Sequence, residues 1–329
     1  MRSELSDHIG VNTLITGDYN QLQFWKTLGF CLLLSIYFII YEIFKIVTYL
    51  MKYIMPLQRL DYKRFFTTGF WMLCIYILEL NGVEIEIIGD QLEVEDALII
   101  SNHCSLVDYI IFPYLILEST KDKQAIQEDL STINLPRLNF FTWFSIWDIP
   151  NFRLFRNIYQ SDENWELNDD TLQITFNKFL DSNERFVEWL ITFPEVNIFS
   201  LKDWKLQKSL NEKYYLPNLN NLLYPRYSSF KNVINGLYGS QFTRLYDITI
   251  IYYTKNELGE IQFKNPNILE IFGLSDDKYS IKIHIKAKLM SRLYINKTRL
   301  DKWLENKWVK KDKLITTLKN DILKNNITK

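Results

Sequence analysis

The chain has 329 residues, a formal net charge of −1 and a sequence pI near 6.4; nothing in that balance points to nucleic acid, and the length suffices for one large domain or two ordinary ones with a substantial core. Aromatic residues make up 16 %, with 20 Tyr, 22 Phe and 9 Trp, an enrichment that suits a membrane interface and that large aromatic cores also produce. The three cysteines, Cys31, Cys74 and Cys104, have neither metal nor disulfide spacing, which points to a reducing compartment.

Two apolar segments dominate the N-terminal quarter. The first runs from Thr27 to Tyr41 and continues, interrupted by Glu42 and Lys45, to about Leu50. Its uncharged part falls short of the ~20 residues that span a bilayer squarely, but with aromatic flanks and a snorkelling Lys26 it can span or lie obliquely in the interface. It lacks the small-residue cleavage pattern of a signal peptide. The second, Phe65 to Leu80, is similar in length, and the basic residues Lys45, Lys52, Arg59, Lys63 and Arg64 between the two favour a cytosolic connection. The expectation is one spanning helix, a second in the interface, and a cytosolic remainder; two buried core helices are the soluble alternative.

After Gly82 the texture changes to alternating strands and helices. Val83 to Ile88 alternates and meets the turn signal Gly89-Asp90; Ala97 to Ser101 reads as a strand. Then comes a polar run, Asn102-His103-Cys104-Ser105-Leu106-Val107-Asp108, leading into an apolar helix. A histidine leaving a strand, with a carboxylate five positions on, supplies a general base and the group that orients it. On a straight helix the two would sit about 140° apart, so they meet only with His103 in the loop and Asp108 in the first helical turn. Ser105 as N-cap would put Asp108 at N3. The same pattern is also a plain helix cap, in which the carboxylate does no chemistry. Cys104 points away from its neighbour His103 and reads as a small packing residue.

Further on, Phe176 to Leu180 fits a helix, and Phe186 to Phe193 a buried strand stopped by Pro194. The strand ends in Phe193-Pro194-Glu195, placing a carboxylate at a strand's carboxyl end, where α/β proteins bind ligands; an exposed Glu after a proline is also an ordinary solvated turn. Leu245 to Tyr253 and Tyr279 to Lys286 are β patterns, and the tail from Lys297 is helical and rich in Lys. Residues 81–329 thus read as an α/β domain behind a membrane-associated region, 1–80.

Taken in order, these segments resemble the glycerolipid acyltransferase family, which includes the lysophosphatidic acid acyltransferases. Asn102, His103 and Asp108 match its Asn-His-x-x-x-x-Asp block; Phe152 to Asn157 looks like its second block, with Arg156 as the basic residue; Phe193, Pro194 and Glu195 match its Phe-Pro-Glu-Gly-Thr block; and Leu223-Tyr224-Pro225-Arg226 looks like its proline-containing fourth. Tyr246 to Thr249, and Trp303-Leu304 with Trp308 and Lys311-Asp312, are similar to the eukaryotic branch acting on lysophospholipids. The resemblance covers about residues 80 to 318.

It implies a mixed sheet with flanking helices, and acyl transfer from acyl-CoA to the hydroxyl of a lysophospholipid or related glycerolipid at a membrane, with the catalytic domain on the cytosolic side of the endoplasmic reticulum. No bound cofactor or metal is implied; acyl-CoA is a co-substrate. His103 is then the base and Asp108 its orienting carboxylate; Glu195, Arg156, Asn197 and Arg226 form the substrate-binding side, the arginines toward phosphate. Asn102 supports the loop. From Lys282 to Lys329 the chain carries about ten more basic than acidic residues, a surface for anionic headgroups or a solvated helix face.

One departure stands out. Val196-Asn197 replaces the family's Gly-Thr after Phe-Pro-Glu, and a β-branched Val resists the positive φ that Gly allows. The change fits a divergent fungal branch tied to spore-wall formation. It also supports the main alternative, a catalytically impaired relative acting as a lipid-binding or assembly factor. A hydrolase of the same fold, with water as acceptor, is the other.

Overall fold

A computed structural model describes residues 2–17, 19–54, 62–124, 136–142, 156–159, 174, 176–177, 179, 187–256, 258–275, 277–295 and 299–327. Two short helices, α1 (Arg2–Ile9) and α2 (Val11–Thr16), precede two long ones, α3 (Gln21–Ile54) and α4 (Tyr62–Leu80). Helix α3 passes unbroken through the charges that interrupt its apolar run, because Glu42 and Lys45 lie one turn apart and pair at 2.7 Å. Its stretch Gln21–Leu50 has a mean hydropathy of 2.1, and only 6 % of its most apolar part is buried in the protein. At ~1.5 Å per residue it exceeds the ~30 Å of a bilayer core.

Helix α4 behaves differently. Phe66, Phe70, Trp71, Cys74, Ile75, Ile77 and Leu78 enter the main hydrophobic core, while Phe65, Met72, Tyr76 and Leu80 stay exposed. The segment expected in the interface is therefore half a core helix. It meets α3 closely: Tyr37 donates its hydroxyl to the Phe66 carbonyl at 2.8 Å, and Gly69 is required there because a Cβ would strike that hydroxyl.

The rest is a mixed sheet flanked by helices on both faces. In chain order the elements are β1 (Glu84–Gly89), β2 (Ala97–Ser101), α5 (Asp108–Gln124), β3 (Arg137–Thr142), β4 (Arg156–Tyr159), β5 (Glu188–Thr192), α6 (Leu201–Lys213), α7 (Tyr227–Gly236), β6 (Arg244–Lys255), β7 (Ile261–Gln262), a π-helical turn (Glu270–Leu274), β8 (Lys278–Leu289), α8 (Ser291–Ile295) and α9 (Leu300–Ile327). The strand order is β1-β8-β6-β2-β5-β3-β4, with β7 pairing on β6. Strands β6, β2, β5, β3 and β4 are mutually parallel; β8 runs antiparallel to β6, and β1 is parallel to β8.

Burial on both faces explains the uninterrupted apolar runs of the central strands. Every residue of β2 and β5 is buried. Alternation along the strands then divides the core: Ile99, Ile191, Ile248, Ile250 and Tyr252 face α4 and α5, whereas Leu98, Ile100, Leu190, Leu245 and Ile251 face α7 and α9. Parallel β2 and β5 end side by side, so the segments after them, carrying His103 and Phe193-Pro194-Glu195, emerge together.

Candidate active site

The loop after β2 is held from below by Asn102. Its amide nitrogen donates to the Ile250 carbonyl at 2.9 Å, and its amide oxygen accepts the Ile250 N–H at 2.9 Å. This buried side chain acts as one more rung of the sheet, in keeping with a supporting role. Ser105 caps the next helix by accepting the Val107 N–H at 3.1 Å, and donates its own hydroxyl to the Pro266 carbonyl at 2.6 Å.

Those anchors bring the pair together. His103 lies in the loop and Asp108 opens α5, with His103 Nδ1 2.9 Å from Asp108 Oδ2. The same oxygen accepts the backbone N–H groups of Cys104 at 2.7 Å and Ser105 at 3.0 Å, so the helix cap and the histidine pair share one carboxylate. Asp108 is fully buried and His103 is 3 % exposed. A carboxylate only accepts, so Nδ1 is the donor of this pair and Nε2 is the nitrogen turned away from it. Nε2 is bonded to no protein group among the described residues.

The second motif meets the first through Phe193, whose ring stacks on the His103 imidazole with centroids 4.0 Å apart and planes at 14°. The Phe199 N–H closes the contact by donating to the His103 carbonyl at 2.8 Å. Pro194 accepts the Arg226 N–H at 2.7 Å, tying the third block to the fourth. Glu195 is buried: it accepts the Leu223 N–H at 3.2 Å and the Trp308 indole N–H at 3.3 Å. Burial pushes its carboxyl up to about 8, against the pull of those two donors and the Lys311 ammonium.

Val196 has φ +67, the left-handed region. The turn therefore keeps the conformation a glycine would take, at a cost of about 1–2 kcal/mol in backbone strain. Val196 N–H donates to Phe193 O at 2.9 Å and Asn197 N–H to Glu195 O at 2.8 Å, both within the turn; Asn197 and Arg226 are half-buried beside it. Arg156 opens β4, in register with Asn139 and through it with Leu190. Its backbone is thus two strands from β5, ~10 Å at the usual strand spacing. Phe152 to Phe155 of the second block lie outside the described residues, as does Leu180.

Helix α9 completes the assembly with residues whose roles the sequence did not reveal. Lys311, buried, sits 2.7 Å from Asp247 Oδ1 and donates to the Ile248 carbonyl at 2.6 Å, and Lys307 pairs with the other Asp247 oxygen. Burial pushes Asp247 up, but the two ammoniums outweigh it and hold the carboxyl below its usual range. Asp312 accepts the N–H groups of Asn220 and Asn221 at 3.0 and 2.7 Å, fixing the approach to Leu223. Part of the basic excess after Lys282 is thus spent inside the protein. Burial, with the charges of Asp108 and Glu195, pushes the Cys104 thiol well up, which leaves no thiolate for nucleophilic work. His8 lies in α1, and His284 in β8 opposite Thr249.

Three similar proteins are acyltransferases. A probable 1-acyl-sn-glycerol-3-phosphate acyltransferase 5 of Arabidopsis thaliana is 26 % identical over 76 % of this chain and 61 % of its own length. Lysophosphatidylinositol acyltransferase 10 of Caenorhabditis elegans is 25 % identical over 75 % of this chain and 60 % of its own length, and 1-acyl-sn-glycerol-3-phosphate acyltransferase 3 of Arabidopsis thaliana is 24 % identical over 74 % and 58 %. The chain spans about three fifths of the length of these relatives. No family model and no solved structure matches it. These relatives support the relation of the chain to the glycerolipid acyltransferase family, and its first, third and fourth blocks lie beside one another.

Proposed function

We propose that the protein is a membrane-bound acyltransferase that moves a fatty acyl group from acyl-CoA to the hydroxyl of a lysophospholipid or related glycerolipid. The observation that carries this reading is the buried His103–Asp108 pair, 2.9 Å apart, with Phe193 stacked on the imidazole. The names of the relatives supply the reaction class.

In the proposed reaction, His103 Nε2 takes the proton of the acceptor hydroxyl as its oxygen attacks the thioester carbonyl carbon. The tetrahedral intermediate collapses by breaking the carbon–sulfur bond, and the imidazolium returns the proton to the leaving sulfur, so that CoA departs as the thiol. Asp108 holds the Nδ1 proton and stabilises the transient imidazolium. No covalent bond to the enzyme forms. Arg226, tied through its N–H to Pro194, and Arg156 are assigned to the acceptor's phosphate, and Glu195 and Asn197 to the turn that shapes that side of the site. The exposed apolar helix α3 supports residence in a bilayer, where acceptor and product reside, and the basic connection after it supports a cytosolic catalytic domain.

The non-catalytic alternative rests on Val196-Asn197. The turn holds its left-handed residue with Val in place of Gly, so the replacement costs strain and leaves the shape. Incubating membranes that carry the full chain with labelled acyl-CoA and a panel of lysophospholipids tests the reading. Accumulation of a diacyl lipid is expected; free fatty acid would indicate a hydrolase, and no product from any acceptor would support the lipid-binding role.

A further inference from the structure

Asp108 uses its two oxygens unequally. Oδ2 serves His103 and the two backbone N–H groups of the cap, whereas Oδ1 has a single partner among the described residues: the Tyr252 hydroxyl, at 2.6 Å. A carboxylate held through one oxygen can turn about its Cβ–Cγ bond, while one held through both keeps its plane. Tyr252 is 2 % exposed, in β6, where alternation turns it to the α5 face beside Ile248 and Ile250. Its strand is bound on both sides, by the Asn102 clamp at Ile250 and by pairing with Ile281 in β8. Phenylalanine would fill the same space. Along the same face of the strand Tyr246 gives its hydroxyl to Glu95 at 3.0 Å, and Tyr252 gives its own to Asp108.

We propose that Tyr252 is a positioning residue of the acyl-transfer site: it holds Asp108 from the side away from His103 and so sets the proton affinity of the imidazole. This rests on the reading of His103 as the base. Burial and the Asp108 charge hold the phenol protonated, so it donates throughout the working pH range. Its bond draws negative charge from Asp108 and weakens the carboxylate's pull on an imidazolium. Loss of the hydroxyl therefore raises the affinity of His103 for a proton. It raises that of Asp108 too, and both effects move the acid side of the titration to higher pH. The other ionisable groups around the pair are Cys104 and Tyr109 from its own loop and helix, and Glu195 from the loop after β5. From α9, Lys311 acts on Glu195 and Lys319 on Cys104.

The test reads His103 directly, by deuterium exchange at the imidazole C2 of the full chain in detergent, followed against pH by mass spectrometry of the peptide carrying His103. In Tyr252→Phe the midpoint is expected about one pH unit higher, the order set by losing a bond to a charged group. With 3-fluorotyrosine at 252, a stronger donor of the same shape, it is expected lower. Tyr279→Phe, which deletes another buried hydroxyl from a carboxylate (Glu270, 2.9 Å), is expected to leave it in place. An unchanged midpoint in the Tyr252 variants would overturn the proposal and leave Tyr252 a core residue; should the Phe variant not fold, the fluorotyrosine midpoint decides alone. The exchange needs no substrate. A shifted midpoint without acyl transfer by the wild type would sink the enzymatic reading and keep the Tyr252–Asp108 coupling, and transfer with an unshifted midpoint would do the reverse.

Discussion

Asp108 and Glu195 are carboxylates buried after the carboxyl ends of neighbouring parallel strands, yet their surroundings differ in kind. Asp108 receives four donors between 2.6 and 3.0 Å, one of them an imidazole that gains a charge when it takes a proton. Glu195 receives two, at 3.2 and 3.3 Å, and its carboxyl is pushed up to about 8. Four short donors tie the loop after β2 to one carboxylate, whereas two long ones leave the burial of Glu195 poorly offset. The loop after β2 is therefore built around the Asp108 hydrogen bonds, and the loop after β5 around a joint between Leu223 and α9.

The largest effect that sharpens this contrast is expected at Asp108. Asp108→Asn presents an NH2 group to donors that need an acceptor and releases the imidazole tautomer. The rate of acyl transfer should fall ~10³-fold or more, and stability by about 2–3 kcal/mol as buried donors lose their partner. Initial rates and thermal unfolding check the two parts; a rate within tenfold of wild type would break the comparison.

Glu195 should show itself through pH. Its folded pKa lies above its ordinary value of 4.5, so between about 4.5 and 8 the folded state holds a proton that the unfolded state has lost. Its contribution to stability is thus greatest on the acid side and declines as pH rises toward 8. Thermal unfolding across that range should fall more steeply for wild type than for Glu195→Gln, which has no proton to lose. Parallel curves would contradict the contrast. The smallest effect is expected at the next residue: Val196→Gly relieves a left-handed β-branched residue and should stabilise by about 1 kcal/mol, a rise of ~3 °C in Tm. A lower Tm would mean that the Val side chain holds the turn.

Much of this was legible in the sequence where the signals are local. The spacing of His103 and Asp108 let the two meet only in the loop-and-first-turn arrangement, Ser105 offered the N-cap, and the alternating and apolar runs marked β1, β2, β5, β6 and β8. Strand β1 lies one residue further on than expected, at Glu84–Gly89 rather than Val83 to Ile88, and ends at Gly89 with φ +99. Contacts that depend on sheet order were not legible. Tyr252 lies 144 residues from Asp108, and Trp308 lies 113 from Glu195; only the pairing of β2 with β6 and the packing of α9 bring them together. Helix α4 shows the same limit from another side, since composition gives its apolarity and only packing shows which face is core.

The most direct test of the central claim compares acyl transfer by wild type and His103→Ala in matched membranes carrying equal amounts of folded protein. A diacyl product from the wild type that disappears in the variant is the predicted result. Equal product from both would contradict the assignment of His103 as the base.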